Sequence, residues 1–580
     1  MELWLPSLPL SLSFLLLLLL VLRRYLRSKS SRNTGPEFPG PWHLPLIGSL
    51  HHLVGALPHH ALRDLARRHG PVMRLRVGQV DQIVLTSRDG AQQILKVQDA
   101  NFAFRPELTA AKIIAYGCRD VAFSNGEYWR QLRKLCVMEL LGAKRVKSFA
   151  SLRAEQVSLL MRDVGYAATA GKEINLGARL NELTNSIVVQ ASFGRRCPQQ
   201  KKFMDTIKEV IKMSSGFSVG DLFPSLKIMD VLTGFSTKLI HYHKKLDAIL
   251  EETIQEHLLS RRDDEEDLID VLLRLKDQGD LEVPISYESI KALVIVSTLC
   301  QTNYIFININ SREPDDPSLN YFVVDGCDQD LFAGGTETTA NTIEWAMSEL
   351  ILHPQAMNRA QAEVREAMKG KGYVEESDVP QFAYIHSVVK ETLRLHPPFP
   401  LLFPRVGQET TQVLGYTIPA GTRVLINVWA LARDPKYWHD GESFKPERFQ
   451  EGDDKEFKGN DFEFLPFGAG RRMCAGMSFG LSTLELALSQ LLFHFDWALP
   501  KGMAPGDLDM AESFGSSASR KINLHLVPSP RFPLRSKSFV CIVANYKGIP
   551  RTSRAHDFFF MAGLLGFGCE LKLAKTKLQR

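Results

Sequence analysis

The sequence predicts one large globular domain, with both amphipathic and fully apolar helices, behind an N-terminal membrane anchor. The first observation is composition: 44% of the 580 residues are hydrophobic and 9% are aromatic, which suits a globular core. The second is continuity, because no repeat or low-complexity linker divides the chain. The third is a pair of landmarks: an apolar run near the N-terminus, and a glycine-framed cysteine before an apolar, helix-forming run near the other end.

The N-terminal apolar run has the length and flanks of a membrane-spanning helix. Residues 3–22 are almost wholly apolar, and a bilayer-spanning helix needs about 20 such residues. Five basic residues follow: Arg23, Arg24, Arg27, Lys29 and Arg32. Positive flanks stay cytoplasmic, whereas a cleaved signal peptide would carry its charges before the apolar run. We therefore expect a membrane anchor at 1–23, a body in the cytosol, and a basic, proline-rich segment at 24–48 that is either a stiff hinge or an irregular loop.

The basic charge of the chain is concentrated at its C-terminal end. The formal net charge is +5. Residues 535–580 hold nine Lys or Arg and two acids, so this tail is +7 and the rest of the chain is −2. The whole-chain charge is therefore no argument for nucleic-acid binding. None of the eight cysteines forms a Cys-x-x-Cys pair, and the chain is far too long for a disulfide scaffold, which favours a reducing compartment.

The most informative segment is the loop at 467–476, where Cys474 lies between Gly470 and Gly476. A cysteine at a helix start gains from the helix dipole, which lowers its pKa. The glycines let backbone amides approach the sulfur, where N–H donors tune a metal-bound thiolate. Phe467 can shield the sulfur from water, and Arg472 is placed to pair with an anion beside the metal. The alternative is a buried structural cysteine after a glycine turn.

A second segment predicts a helix with an unusual start. Residues 330–339 contain the adjacent glycines Gly334 and Gly335, each of which costs a helix roughly 1 kcal/mol against alanine. Either something approaches the backbone there, or the feature is a cap. A Thr hydroxyl that bonds back to the i−4 carbonyl would open a groove beside a flat cofactor. Apolar residues at helical spacing then predict an amphipathic helix that ends before His353.

Two further patterns are weak when taken alone. Glu391 and Arg394 lie three residues apart on one predicted helix face, where such pairs are usually solvated and worth little. Trp129 and Arg133 lie four apart and can face one target. Taken alone, Arg394 and Arg133 would each be interpreted as surface residues.

Taken together, the motifs resemble the cytochrome P-450 family, in the style of the plant microsomal A-type enzymes of the clan numbered seventy-one. Phe, Gly, Arg, Cys and Gly of the 467–476 loop occupy every fixed position of the haem-binding signature. The motifs keep their order from residue 1 to about 534. The resemblance implies a mainly α fold with small β-sheets (α+β), namely the cytochrome P-450 fold behind an N-terminal transmembrane helix, with a haem-thiolate catalytic domain over 49–534.

The resemblance also implies the role of each candidate residue. Cys474 would be the axial ligand of the iron in haem b, Thr338 would hydrogen-bond dioxygen, and Glu337 would help to relay protons. The other residues implied to bind the cofactor, several of them through its propionates, are Trp129, Arg133, His396, Arg405, Phe467, Arg472 and Gly476. The residues implied to form a buried structural charge cluster are Glu391, Arg394 and Arg448.

The implied activity is that of a haem-thiolate monooxygenase. It would insert one atom of O2 into a small lipophilic metabolite, often a terpenoid, at the endoplasmic reticulum membrane as a single-pass protein. Because the chain has no flavin or nicotinamide motif, electrons would come from NADPH through a membrane-bound reductase that docks on the cysteine side. The implied substrate contacts come from 101–123, 332–335, Leu401 and Leu402, and 514–517.

Two segments depart from the family pattern. Residues 296–328 interrupt the helix before Asp330 with a composition typical of loop or strand, and residues 535–580 extend the chain beyond its expected end. We interpret the first as retained intron sequence, which sequencing of the spliced message tests. The insertion leaves open the alternative of a non-functional product of aberrant splicing. A second alternative for the activity is a haem-thiolate isomerase or dehydratase that needs no O2.

Overall fold

The computed structural model describes residues 38–194, 199–214, 218–259, 266–278, 284–299, 337–450, 455–514 and 517–532. The predicted anchor at 1–23, most of the insertion at 296–328 and the tail at 535–580 lie outside the described residues. So does the start of the predicted hinge. Within the described ranges, no helix combines the length and the hydropathy needed to cross a membrane.

Helices make up most of the described part of the chain. The α-helices are Pro58–His69 (α1), Arg88–Gln92 (α2), Thr109–Ile114 (α3), Gly126–Leu135 (α4), Ala143–Ser148 (α5), Ala150–Thr169 (α6), Leu176–Phe193 (α7), Gln200–Ser214 (α8), Val219–Leu222 (α9), Met229–Leu232 (α10), Phe235–Leu259 (α11), Leu268–Gln278 (α12), Tyr287–Leu299 (α13), Glu337–Leu352 (α14), Pro354–Ala367 (α15), Ala383–Leu395 (α16), Val428–Leu431 (α17) and Met477–His494 (α18).

The strands are short and form small sheets. They are Val72–Val77 (β1), Val80–Leu85 (β2), Ile174–Asn175 (β3), Arg405–Val406 (β4), Thr411–Val413 (β5), Tyr416–Ile418 (β6), Arg423–Ile426 (β7), Phe495–Ala498 (β8), Glu512–Phe514 (β9), Ala518–Arg520 (β10) and His525–Pro530 (β11). The largest sheet has the order β1-β2-β7-β4, in which only the β2–β7 pair is parallel. The other sheets are β3-β11-β8, β9-β10 and β5-β6.

Helix α14 forms the centre of the fold and is buried on almost every side. It packs against α7, α16 and α18. The prediction of an amphipathic helix is wrong in this respect, because its polar side chains also find buried partners. Asn341 donates to Ser517 Oγ at 2.9 Å, and Glu344 Oε1 accepts the backbone N–H of Leu524 at 2.6 Å. Satisfied polar groups of this kind can lie in a core without the cost of an unpaired one.

The described end of the predicted hinge is held against the first sheet. The Pro39 carbonyl accepts the backbone N–H of Arg74 at 2.8 Å, and the ring of Phe38 stacks on Tyr416 at 4.8 Å. An added Cβ on Gly40 would overlap the backbone oxygen of Arg74. The segment is therefore irregular but fixed to β1 in its described part.

Helix α13 continues further than the composition suggested. It runs over Tyr287–Leu299, four residues into the predicted insertion at 296–328. Its first part is buried, as at Ile290 and Leu293. Burial of this apolar face explains why the helix persists, since tertiary packing outweighs weak intrinsic propensity.

A largely buried ion pair of His257 with Asp267, between α11 and α12, gives a pH-dependent contribution to stability. Both ring nitrogens of His257 contact acceptors at 2.8 Å, Nδ1 the Thr253 carbonyl and Nε2 the Asp267 carboxylate. Burial disfavours the imidazolium, but the hydrogen bond and charge of Asp267, the Thr253 carbonyl and the charge of Asp270 together outweigh it and raise the pKa of His257 to about 9. A raised pKa means that the contribution is fully present below pH 6.5 and fades as the pH rises through 9.

We therefore expect His257→Asn to lower the unfolding free energy at pH 6 by on the order of 1 kcal/mol, after allowing for solvent screening. At pH 9.5 the difference from the wild type should nearly vanish. Thermal unfolding followed by circular dichroism at both pH values checks this. An equal loss at both values would show that the packing of His257, and not its charge, is what matters.

Candidate active site

A cavity of about 290 Å³ lies beside the cysteine loop, between α4, α7, α14 and the start of α18. Most of its lining is apolar, and the polar groups in it are few. Apolar lining residues include Leu140, Val188, Leu293, Phe399, Leu402 and Phe479. An apolar cavity with a small number of polar groups at defined positions is typical of small-molecule binding sites.

Cys474 lines this cavity, and its side chain is exposed to the cavity space. The backbone N–H groups of Gly476 and Met477 hydrogen-bond to its sulfur, as expected where α18 begins at Met477. The prediction that the helix start lowers the pKa of Cys474 is wrong for the net shift. Burial raises the pKa of the Cys474 thiol and outweighs those N–H groups and the charge of Arg133, which lower it. A coordinated cation would supply the charge that stabilises the thiolate here.

The two signature glycines behave differently. Gly470 has φ +68°, and an added Cβ would overlap the Leu95 carbonyl oxygen and lie 2.6 Å from Asp99 Oδ1. Gly476 has φ −90°, and an added Cβ would meet nothing within 4 Å among the protein atoms described. The protein's own packing therefore requires glycine at 470 and leaves room at 476.

We expect Gly470→Ala to destabilise the fold by about 2–5 kcal/mol, because it combines a left-handed backbone with a clash. Haem content should fall with it, since the same loop carries Cys474. Chemical unfolding and the haem-to-protein ratio are the measurements. Gly506→Ala is the matched control, because its added Cβ meets nothing within 4 Å. Equal stability of the two variants would contradict the prediction.

Four arginines line the cavity and make it cationic on one side: Arg105, Arg133, Arg405 and Arg472. Arg405 is buried, and it donates to Asp99 Oδ1 at 2.8 Å and to the Ala469 carbonyl at 2.9 Å. The prediction placed Arg133, Arg405 and Arg472 here. Arg105 was missed, because nothing in its local sequence distinguishes it from a surface arginine.

Arg472 gives its N–H groups to the protein itself. It donates to the carbonyls of Ala103 (2.7 Å), Val121 (3.2 Å), Ala122 (3.3 Å) and Ser124 (2.6 Å) and to Asn125 Oδ1 (3.1 Å). Its guanidinium lies 3.9 Å from the ring centroid of Trp129, which also lines the cavity. Burial and the neighbouring arginines lower the pKa of Arg472, while these acceptors favour its cationic form. Toward an anion in the cavity it therefore acts by charge.

His396 does not line the cavity, and its predicted contact with the cofactor is wrong. Helix α16 ends at Leu395, and the His396 ring turns toward α14. There it stacks on Trp345 with centroids 4.0 Å apart, and its Nε2 lies 2.7 Å from Glu349 Oε1. Burial alone would lower the pKa of His396, but hydrogen bonds with Glu349 and Glu512 raise it. The ring is thus committed to a buried network between helices.

The predicted oxygen-handling residues lie at the start of α14. Thr338 lines the cavity, with Thr339 and Thr342 beside it. Thr342 Oγ1 donates to the Thr338 carbonyl at 2.7 Å, so a threonine makes the predicted back-bond to the i−4 carbonyl. Glu337 is buried but does not line the cavity. Its role in proton relay stays a prediction, and Gly334 and Gly335 lie outside the described residues.

The predicted charge cluster is present and buried. Arg394 binds Glu391 through two bonds, Nε to Oε2 at 2.7 Å and Nη2 to Oε1 at 2.8 Å, and both side chains are 0% exposed. Arg448 Nε joins them at 3.0 Å from Glu391 Oε1. The cluster therefore ties α16 to the segment at 439–448, where Arg394 and Arg448 also bind backbone carbonyls.

Only some of the predicted substrate-contact residues line the cavity. Arg105, Val121 and Ala122 from the 101–123 segment line the cavity, and so does Leu402. Leu401 does not: it is buried in a separate apolar cluster beside β1, since consecutive residues of this turn point to opposite sides. Residues 332–335 lie outside the described residues. At the last segment, Ser517 is bonded to Asn341.

The residues present fit the haem that the resemblance implies. A flat apolar macrocycle with two carboxylates needs apolar walls, cationic groups at one edge and an axial ligand. The cavity offers these through its apolar lining, its four arginines and the thiol of Cys474. Phe467 and Gly476 also line it. Arginine is well suited to carboxylates, and a thiolate is an established haem ligand.

Comparison with known proteins agrees with this site. The family model described as Cytochrome P450 matches residues 38–299 and 302–524. The chain is 46% identical over 539 residues to premnaspirodiene oxygenase of Hyoscyamus muticus, which covers 92% of this chain and 99% of that protein. It is 45% identical over 523 residues to cytochrome P450 71D7 of Solanum chacoense, which covers 89% of this chain and 98% of that protein.

A solved structure gives the same fold. A zebrafish cytochrome P450 with abiraterone superimposes with a TM-score of 0.64 at 24% identity, over 82% of this chain and 99% of that chain. This confirms the predicted mainly helical P-450 architecture with small sheets. The family match and the relatives confirm the resemblance to the clan numbered seventy-one. The chain therefore belongs to the cytochrome P450 family, and it is a haem b-dependent monooxygenase with O2 as its co-substrate.

Proposed function

We propose that this enzyme hydroxylates or otherwise oxygenates a small terpenoid-like metabolite, with electrons from NADPH delivered by a separate reductase. The observation that carries the proposal is the cavity, in which Cys474 faces a mostly apolar chamber with few polar groups. Such a lining selects a substrate by shape and burial of apolar surface. The name of the relative premnaspirodiene oxygenase supports a terpene-like substrate.

The chain's own residues would divide the work between two sides of the cavity. Bound haem supplies the activation of dioxygen. On one side, Cys474 provides the sulfur, and the N–H groups of Gly476 and Met477 hold its orientation. On the other side, the Thr338 hydroxyl would hold a proton at its Oγ1 close to the substrate, and the apolar walls keep bulk water out. A reductase is required because the sequence carries no flavin or nicotinamide motif.

Incubation with ¹⁸O2 tests this function. The full chain is produced in microsomes and offered a panel of apolar terpenes with NADPH, with and without added reductase. We expect one ¹⁸O atom in the product, and formation that depends on the reductase. A product formed without O2 or reductase would favour the isomerase or dehydratase. If the full chain binds no haem and deletion of residues 296–328 restores haem binding, the chain is better explained as a non-functional product of aberrant splicing.

We also propose that the enzyme is held at the endoplasmic reticulum membrane by residues 1–23, with the catalytic domain in the cytosol. Exposed apolar side chains in two segments support this: Trp42 (63% exposed) and Leu46 (62%) near the start of the described chain, and Ile228 (67%) and Leu232 (70%) at α10. The turn after β1 connects their segments. Gly78 N–H donates to the Ile47 carbonyl at 3.1 Å, and Gln79 N–H donates to the Leu222 carbonyl at 2.8 Å. Such a patch beside an anchor suits a lipid surface.

Carbonate extraction of microsomes tests the localisation. The full chain should stay with the membrane, because its anchor spans the bilayer. Deletion of residues 1–37 should release it into the supernatant at alkaline pH while leaving weaker binding at neutral pH. A full-length chain found in the soluble fraction would overturn the proposal.

A further inference from the structure

Asp120 is a carboxylate with an unusual environment near the arginines of the cavity. It is completely buried. Its Oδ1 accepts the backbone N–H groups of Ala122 at 2.7 Å and of Phe123 at 2.8 Å. Its Oδ2 is buried with no hydrogen-bond partner among the described residues. An ionised oxygen left in this state costs free energy, so its presence calls for an explanation beyond capping.

The turn that Asp120 closes is the structure to which the cavity arginines bind. Carbonyls of Val121, Ala122 and Ser124 accept from Arg472. The Val121 carbonyl also accepts Trp129 Nε1–H at 3.2 Å. Arg105 Nε donates to the Ala122 carbonyl at 3.3 Å. A change in this turn therefore moves the acceptors of two arginines and a tryptophan together.

The charge of Asp120 opposes a local excess of positive charge. Arg105, Arg405 and Arg133 act on Arg472 as like charges, whereas Asp120 is the acid whose charge favours its cationic form. Another acid beside these arginines, Asp99, is hydrogen-bonded to Arg405 at 2.8 Å and to the backbone N–H of Arg471 at 2.7 Å. Asp120 is thus the carboxylate that faces Arg472 without being bonded to it.

We propose that Asp120 is a positioning residue of this enzyme: its turn fixes Arg472 against Trp129 at the cavity wall, and its buried negative charge sets the electrostatic potential at the haem. The first part is geometric and rests on Oδ1. The second part rests on the charge of the carboxylate, of which only Oδ1 accepts hydrogen bonds from the described residues. A neutral acceptor could cap this turn, so capping alone does not require a carboxylate at position 120. An electrostatic role accounts for the buried negative charge.

Substitution by asparagine separates the two parts. In Asp120→Asn the Oδ1 acceptor remains, so the turn and haem binding should persist, while the negative charge is lost. Removal of a buried negative charge favours the reduced state of a nearby cofactor, so the reduction potential should move to a more positive value. Asp230→Asn is the matched control. It is also a buried Asp that caps a turn, at Gly220 N–H (2.9 Å), but Gly220 does not line the cavity, whereas Val121 and Ala122 of the Asp120 turn do.

The pH profile adds a second readout. Burial raises the pKa of Asp120 to about 6. The other groups facing it do not titrate near that value: burial raises the pKa of the Cys118 and Cys136 thiols to about 12 and raises the pKa of Tyr128. Burial lowers the pKa of Arg472 only to about 8, so Arg472 stays cationic through pH 6. The potential of the wild type should therefore rise as the pH falls through 6, with a step that Asp120→Asn lacks.

Spectroelectrochemical titration of the haem-loaded enzymes from pH 5 to 8 measures both effects. A potential and profile in Asp120→Asn equal to those of the wild type would overturn the electrostatic role and leave Asp120 a structural cap. If Asp120→Asn does not bind haem, Asp120→Ser replaces it, because its hydroxyl can also cap the turn. Asp120→Ala, which removes acceptor and charge together, should lose haem. Full haem retention in that variant would overturn the positioning role.

Discussion

Replacement of Cys474 by serine will abolish thiolate-ligated haem and reduce turnover to background. Serine has nearly the same size, and the side chain faces the cavity, so the fold itself should change by less than about 1 kcal/mol. The hydroxyl is a poor ligand where the sulfur would be a strong one. Loss of an outer partner of a metal site costs about 10–100-fold, and loss of the axial ligand should cost more than that.

The carbon-monoxide difference spectrum of the reduced enzyme measures this outcome, together with the haem-to-protein ratio. Cys136→Ser is the matched control, because Cys136 also lines the cavity but is buried in the wall that follows α4. Burial raises the pKa of that thiol to about 12. A red-shifted thiolate band in Cys474→Ser, or its loss only in Cys136→Ser, would show that the ligand has been assigned to the wrong cysteine.

Replacement of Arg394 by alanine will destabilise the fold by about 3–5 kcal/mol, because it leaves the buried Glu391 carboxylate without its main counter-ion. The guanidinium also donates to the carbonyls of Ala432 at 2.5 Å, Gly441 at 2.6 Å and Ser443 at 3.1 Å. Those acceptors would be left buried and unsatisfied. Since whole domains are stable by only about 5–15 kcal/mol, we expect little folded protein.

Chemical denaturation of detergent-solubilised protein tests this, with Arg67→Ala as the control for an exposed ion pair. Arg67 lies 3.5 Å from Asp64, and both side chains are more than half exposed. That pair should contribute less than about 1 kcal/mol. Similar losses of unfolding free energy in the two variants would contradict the prediction, because they would show that the buried Glu391 cluster stabilises the fold no more than an exposed ion pair. Arg394→Lys should also be poorly tolerated, because an ammonium cannot make the two parallel bonds to Glu391.

Several parts of the site could be predicted from the chain alone, because they depend on short spacings. The 467–476 signature places Cys474 at a helix start, and Gly470 is required by a backbone that other residues do not adopt easily. The three-residue spacing of Glu391 and Arg394 puts them on one face of α16. That Arg448 completes their cluster was an implication of the family resemblance, and the structure places it there.

Other parts were decided by tertiary packing. His396 follows the same motif as Arg394, yet its ring lies in the network with Trp345 and Glu349 and does not reach the cavity. Desolvation by the protein around the cavity reverses the direction of the expected pKa shift of Cys474.

The sequence by itself thus determined the family, the position of Cys474 just before a helix and the local geometry of the helix starts, because hydrophobic period, glycine and spacing act over a few residues. Only the tertiary structure decided that Arg472 binds the turn at 120–125, nearly 350 residues earlier, that Asp120 caps this turn, and that Arg105 lines the cavity. Long-range contacts are selected by packing and desolvation, which leave no periodic signal in the chain.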